Sequence, residues 1–178
     1  MHASRYAITA ATAIVLSVLP TRAVRAQSAE PSVHFGATAG LNIPLSDLSR
    51  TVQTGYIMTG YAGGTPQGWP VALRGEVSYS GFSGKSGSVA QNITGVSVNA
   101  VLPLAPADEA PYFIGGIGLD HVSSYFGYST ENDMGLNLGG GYKWRVGDLS
   151  YFVELRYYYI GHTGASREML PLTFGVTF

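Results

Sequence analysis

Residues able to carry chemistry are few in this chain, and they are scattered. There is no cysteine, which removes disulfides, thiolate metal sites and a cysteine nucleophile together. Beyond residue 26 the histidines are His34, His121 and His162, spread along the chain without metal-ligand spacing. Neither an HExxH nor a GxSxG motif occurs. Gly84-Lys85-Ser86 matches the tail of a phosphate-binding loop, but Tyr79 stands where its first glycine belongs and no helix is expected to follow. His121 with Ser123 or Ser124, and His162 with Glu168, supply pieces of a hydrolytic set, yet nothing fixes a nucleophile, base and orienter. No cofactor and no resident metal are expected.

Charged side chains are a different matter. Arg74, Glu76, Lys143, Glu154 and Arg156 sit inside stretches that are otherwise apolar at every second residue. What they do depends on the elements that hold them.

Composition bounds those elements. The chain has 178 residues, with charged residues at 12%, about half the usual ~25%. Glycine is abundant at 24 residues, and there are twelve tyrosines. The formal net charge is −1, so no field is available to hold nucleic acid. Residues 1–26 read as a secretory signal: His2 and Arg5 precede the apolar run Tyr6 to Leu19, Pro20 breaks it, and Val24-Arg25-Ala26 supplies a small-residue cleavage site. That run falls short of the ~18 residues a membrane-spanning helix needs. Its removal takes away Arg5, Arg22 and Arg25 of ten basic residues, leaving seven against eleven acidic, a net −4 over 27–178.

The remainder alternates with period two, the signature of strands. Leu170, Leu172, Phe174, Val176 and Phe178 share one face; Met169, Pro171, Thr173, Gly175 and Thr177 share the other. Tyr151, Val153, Leu155, Tyr157 and Tyr159 oppose Phe152, Glu154, Arg156 and Tyr158. Met134, Leu136, Leu138, Tyr142 and Trp144 oppose a row of glycines with Asn137, Lys143 and Arg145. Similar runs lie near 33–42, 71–80 and 95–102, and two more, 54–62 and 111–121, leave their facing ambiguous. Eight strands of about nine to twelve residues follow, separated by turn clusters at 44–51, 63–70, 83–91, 103–111, 123–133, 146–148 and 161–168.

The two faces differ in kind. One is Leu, Val, Phe, Tyr and Trp; the other is Gly, Ser, Thr and Asn with Arg74, Glu76, Lys143, Arg145, Glu154 and Arg156. A soluble sandwich would put lysine on its polar face, but Lys85 and Lys143 are the only lysines in the sequence. The inverse arrangement fits better, with the apolar face toward lipid and the polar face toward a narrow lumen. A closed barrel is one of two architectures that satisfy the backbone inside a bilayer. Glycine on the inward face leaves room for long charged neighbours. Tyr112, Tyr142, Trp144 and Tyr151 are expected on one interfacial girdle, with Tyr79, Tyr157 and Tyr159 nearer the other.

Four runs carry a resemblance: Tyr112-Phe113-Ile114-Gly115-Gly116-Ile117-Gly118, Leu138-Gly139-Gly140-Gly141-Tyr142, Val153-Glu154-Leu155-Arg156-Tyr157 and the terminal Leu170 to Phe178. On these the chain resembles the small outer-membrane β-barrel proteins, the OmpX and OmpA-transmembrane type, over most of 31–178. The resemblance implies an all-β, eight-stranded antiparallel up-and-down transmembrane barrel, monomeric, in the outer membrane in contact with lipid and lipopolysaccharide. It also implies that Phe174, Val176 and Phe178 form a C-terminal signal for the outer-membrane assembly machinery; the glycine often found five residues before the final aromatic is Thr173 here, with Gly175 instead. With both termini periplasmic, the segments near 44–53, 83–91, 123–133 and 161–168 face outward. Glu131 and Asp133, beside Tyr125, Phe126 and Tyr128, then form an outer loop suited to a partner or to a divalent ion bridging lipopolysaccharide.

The leading expectation is a structural or surface-interaction barrel without catalytic chemistry. Arg74, Glu76, Lys143, Glu154 and Arg156 are expected to form a lumen ion network, since buried charges must be paired. Such a network either fills the lumen or lines a narrow small-solute pore. A lipid A-modifying enzyme, which needs a Ser/His/acid set at the rim, and a soluble lipocalin-like barrel, with its apolar face inward, are the further alternatives.

Overall fold

Where one face of every strand is apolar and the other polar, pairing all edges leaves a tube. The computed structural model describes residues 33–124, 130–162 and 165–178, and they form that tube. Eight strands follow in order: β1 (His34–Leu45), β2 (Gly55–Gly64), β3 (Ala72–Phe82), β4 (Gln91–Pro103), β5 (Ala110–Ser124), β6 (Thr130–Val146), β7 (Leu149–His162) and β8 (Ala165–Thr177). Each pairs antiparallel with its neighbour, and β8 returns to β1 to close the barrel. The closing seam runs from Gly36↔Thr177 to Leu45↔Glu168 and is finished by Phe178 N–H donating to the Phe35 carbonyl at 2.9 Å. Closure leaves no edge strand, and each strand has a ladder partner on both sides.

The strands differ from expectation at the end away from the termini. Segments 123–133 and 161–168 read as turns, but their described residues are strand: β5 runs to Ser124, β6 starts at Thr130 and the β7–β8 ladder reaches His162↔Ala165. Polar residues at these positions lie beyond the apolar belt, where backbone pairing continues without an apolar face to show. Asp133 is therefore a strand residue paired with Asp120, and its carboxylate accepts from Arg167 at 3.2 Å. Tyr125, Phe126 and Tyr128 lie outside the described residues, as does the segment 1–26. Conversely, the 44–51 turn cluster contains a one-turn helix, α1 (Leu48–Thr51). At the end bearing the termini the tightest connection is Gly147-Asp148, where Gly147 at φ +62 makes the reversal that side chains resist.

The exterior is inverted relative to a soluble protein. Leu138 is 68% exposed while Glu154 is 1% exposed. Outward positions on every strand are apolar, which rules out the lipocalin-like alternative. The two ambiguous strands resolve with Tyr56 and Met58 outward on β2, and Phe113, Ile117 and Leu119 outward on β5. Aromatics gather at both ends of the belt. Trp144 lies 6.3 Å from Tyr151, 6.5 Å from Tyr142 and 6.0 Å from Phe174 near the termini, while Tyr56 and Tyr79 lie 6.1 Å apart toward the other end. Tyr112 does not join the girdle: it is buried and points inward. Asp120 cannot face hydrocarbon, and Tyr112 shares its parity on β5.

Three layers fill the lumen. At the capped end, α1 folds over the mouth and lowers Leu48 and Val52 onto Phe82, Ile93, Val122, Ile160 and Met169. A charged ring occupies the middle. Tyr112, Ile114 and Phe152, with Tyr61 and Val101, line the end bearing the termini. Inward glycines make space for large side chains. A Cβ on Gly141 would lie 2.5 Å from Tyr112 Cζ, and one on Gly175 would lie 2.6 Å from Phe152 Cε1.

A charge in the middle of the outer belt tests the lipid-facing assignment. Leu138→Arg should cost ~2–4 kcal/mol of unfolding free energy in bilayers. Reversible urea unfolding in liposomes measures it. A cost near zero would remove the belt.

Candidate functional site

The central ring is built from two strands on opposite walls. β3 and β7 are four places apart in an eight-membered ring, so they face each other and run in the same direction. Their inward positions read Arg74-x-Glu76 and Glu154-x-Arg156. Facing in parallel, those triplets set opposite charges against one another at both levels. Two copies of the same triplet would have set like against like.

The contacts close a cycle. Arg74 Nη2 donates to both oxygens of Glu154, at 3.0 and 2.9 Å. Arg156 grips Glu76 with a fork, Nη2 to Oε1 at 2.7 Å and Nη1 to Oε2 at 2.8 Å. Along each strand the partners also pair, Arg74 Nε with Glu76 Oε1 at 2.5 Å and Arg156 Nε with Glu154 Oε1. All four residues are buried. Two cations and two anions leave the ring neutral, and bidentate geometry offsets the cost of desolvation.

Neutral donors occupy what remains of the carboxylates. Tyr112 Oη donates to Glu154 Oε2 at 2.8 Å, and Ser97 Oγ reaches Glu76 Oε2 at 3.5 Å. Arg156 Nη1 donates to the Tyr158 hydroxyl oxygen at 2.9 Å. The Arg74 guanidinium carbon also lies 4.9 Å from the Tyr61 ring centre and 5.6 Å from that of Phe152. Beside the ring, Asn137 donates to Asn99 at 2.8 Å and Asn99 to Ser97 at 3.1 Å.

Of the five residues expected in the network, the structure brings Arg74, Glu76, Glu154 and Arg156 together and leaves Lys143 out. Lys143 lies opposite Phe152, one pleat nearer the termini than Glu154, and lines the mouth of the barrel. The register makes it a diagonal neighbour of Glu154, but Arg74, Arg156 and Tyr112 already fill that carboxylate. Tyr112 and Tyr158 were missed as ring partners; the parity of Tyr112 with Asp120 was the available signal. Of the expected assembly signal, Phe174 on β8 and Phe178 just beyond it are exposed, with Val176 half-buried between them.

Among the described residues the candidate catalytic groups do not converge; the side chains of Ser124 and His162 lie outside them. His121 Nδ1 lies 2.9 Å from Asn132 Oδ1, an exposed cross-strand amide rather than a serine hydroxyl. His34 lines the mouth near the termini. The Glu168 carboxylate accepts from Ser46 at 2.8 Å and Ser166 at 3.3 Å. Among the described residues no three His, Asp or Glu side chains gather where a metal ion would sit.

One buried charge stands apart. Asp120 is 8% exposed and makes no hydrogen bond or ion pair among the described residues. Its carboxylate oxygens lie against Gly95 and Gly135, each of which would clash with it if it carried a Cβ. The Asp133 carboxylate comes from the paired position on β6.

Solved structures with this fold include Neisserial surface protein A, at 19% identity and TM-score 0.64 over 82% of this chain and 95% of that one. The N-terminal barrel of Pseudomonas aeruginosa OprF matches at 15% identity and TM-score 0.51, over 84% of this chain and all of that one. The Yersinia pestis outer membrane protein Ail matches at 14% identity and TM-score 0.51, over 83% and all, respectively. No protein-family model and no curated protein sequence matches the chain. The fold is that of small outer-membrane barrels.

Two outcomes follow from the lumen charges. Arg74→Glu sets three carboxylates around one arginine and should lower stability by ~3–5 kcal/mol, while adding Glu154→Arg should recover a large part of it. The temperature at which the compact unboiled gel band converts to the boiled form reads both variants; equal losses in the single and the double would dissolve the ring. Asp120→Asn removes an unpaired buried charge and should raise the same conversion temperature, by the equivalent of ~1–3 kcal/mol. A fall would mean that the charge is stabilised where it stands.

Proposed function

We propose that this protein is a monomeric outer-membrane barrel with a sealed lumen, acting as a structural or surface-interaction protein without catalytic chemistry. The observation that carries this reading is the double closure of its interior. The ion ring ties opposite walls together at the centre. Above it, α1 is held down as a plug by Gln53 N–H to the Ser83 carbonyl at 2.8 Å, Lys85 N–H to the Thr51 carbonyl at 2.9 Å and the Val52↔Gly84 bridge. A wet path for solutes would have to cross both.

In this reading the capped end faces outward and the termini face the periplasm. The apolar belt contacts lipid, and the rim around Arg50 and Lys85 meets lipopolysaccharide. Phe174, Val176 and Phe178 face outward on the strand that closes the barrel, which suits recognition by the assembly machinery before closure. The narrow pore is the rival reading, and its support is the polar character of the central layer.

Conductance decides between them. The heat-modifiable barrel, purified from outer membranes and reconstituted in planar bilayers, should show no unitary current above leak. Steady small-ion conductance by the wild type would establish the pore and overturn the sealed reading.

A further inference from the structure

Below the ion ring the lumen opens toward the termini as a blind cup of about 260 Å3. Tyr61, Val101, Tyr112 and Phe152 form its wall, Arg74 its floor, and Lys143 its rim. The edge-on contacts of Phe152 with Tyr61 and Tyr112, at 6.0 and 6.5 Å between ring centres, hold the wall in place. Among the described residues no carboxylate lines the cup. The floor is already neutral, because Arg74 is spent on Glu76 and Glu154. Lys143 differs: it makes no ion pair among the described residues.

We infer that this cup is a binding site for a small anionic amphiphile, a carboxylate or phosphate carried on a compact apolar body. The chemistry is divided by position. Aromatic walls take an apolar ring or short chain, and the Lys143 ammonium at the rim takes the anion where it stays partly hydrated. The volume limits the enclosed part of a ligand to about one ring or a short chain. That suits an aromatic acid or a short acyl chain. A ligand enters from the end bearing the termini, since the ring seals the other side. In the proposed orientation that compartment is the periplasm. The site is therefore separate from any partner at the capped end; its route of entry rests on the sealed reading, while its wall and the Lys143 contact do not.

The test uses para-fluorobenzoate as probe and neutral para-fluorobenzamide as its comparison, each titrated to ~10 mM against the folded barrel in lipid nanodiscs and read by fluorine NMR line width. The wild type should broaden the benzoate saturably, with the benzamide about tenfold weaker, as expected for loss of one charge-assisted contact. Lys143→Met keeps the aliphatic stem and should bring benzoate down to the benzamide level. Val101→Trp fills the cup and should abolish saturable binding of both. Heat-modifiable migration confirms that each variant is folded, and Lys143→Met alone suffices if Val101→Trp does not assemble. Broadening that is unsaturable, or unchanged by Lys143→Met, would overturn the proposal, since it would reflect partition into lipid. Conductance is read independently, so failure of this inference leaves the sealed reading untouched.

Discussion

Closure of β8 onto β1 is the constraint on which everything else depends. Hydrocarbon offers no hydrogen bonds, so each strand must find both neighbours within the chain. Eight strands do so around a lumen just wide enough for side chains. Once the tube is that narrow, inward residues cannot keep their own water. Every charge inside must meet a partner or carry a cost, and every large ring must lie against a wall that has been thinned to receive it. The glycines at 141 and 175 are that thinning.

Three layers answer this constraint in different ways. The central layer pairs two arginines with two glutamates, so that no charge is left over. The layer beneath α1 packs mainly aliphatic and aromatic side chains, with buried Asn42 donating to Ser80 and to the Met169 sulfur at its edge. The layer near the termini is aromatic but incompletely filled, which leaves a cup. A single rule of apolar outside and polar inside therefore describes the middle of this barrel and fails at both ends. Near the ends the lumen meets loops, turns and water, and the inward face answers to them.

Low identity to barrels of the same fold has a physical meaning. Neisserial surface protein A shares the architecture at 19% identity. Closure and alternation ask only for residue class and period, and these are satisfied by many sequences. What distinguishes one such barrel from another is the filling of the lumen and the loops at the rim. The mirrored triplets on β3 and β7, the plug of Leu48 and Val52, and Lys143 and Asp120, which have no ion-pair partner among the described residues, belong to that individual part.

The sequence by itself determined the architecture and the two faces of most strands, because a period of two survives any detail of packing. It also determined that Arg74, Glu76, Glu154 and Arg156 face inward, since their neighbours in the alternation are apolar. Only the tertiary structure decided who meets whom. Register placed Lys143 one pleat nearer the termini than Glu154 and gave its expected place to Tyr112. The facing of β5 was obscured by Gly115 and Gly116, which mark neither side, although Asp120 already carried the signal in the sequence. The plug was illegible because α1 is four residues long, too short for a helical period to show. The extra strand length at 123–133 and 161–168 was illegible because hydrogen bonding there continues past the lipid belt, where no alternation is required.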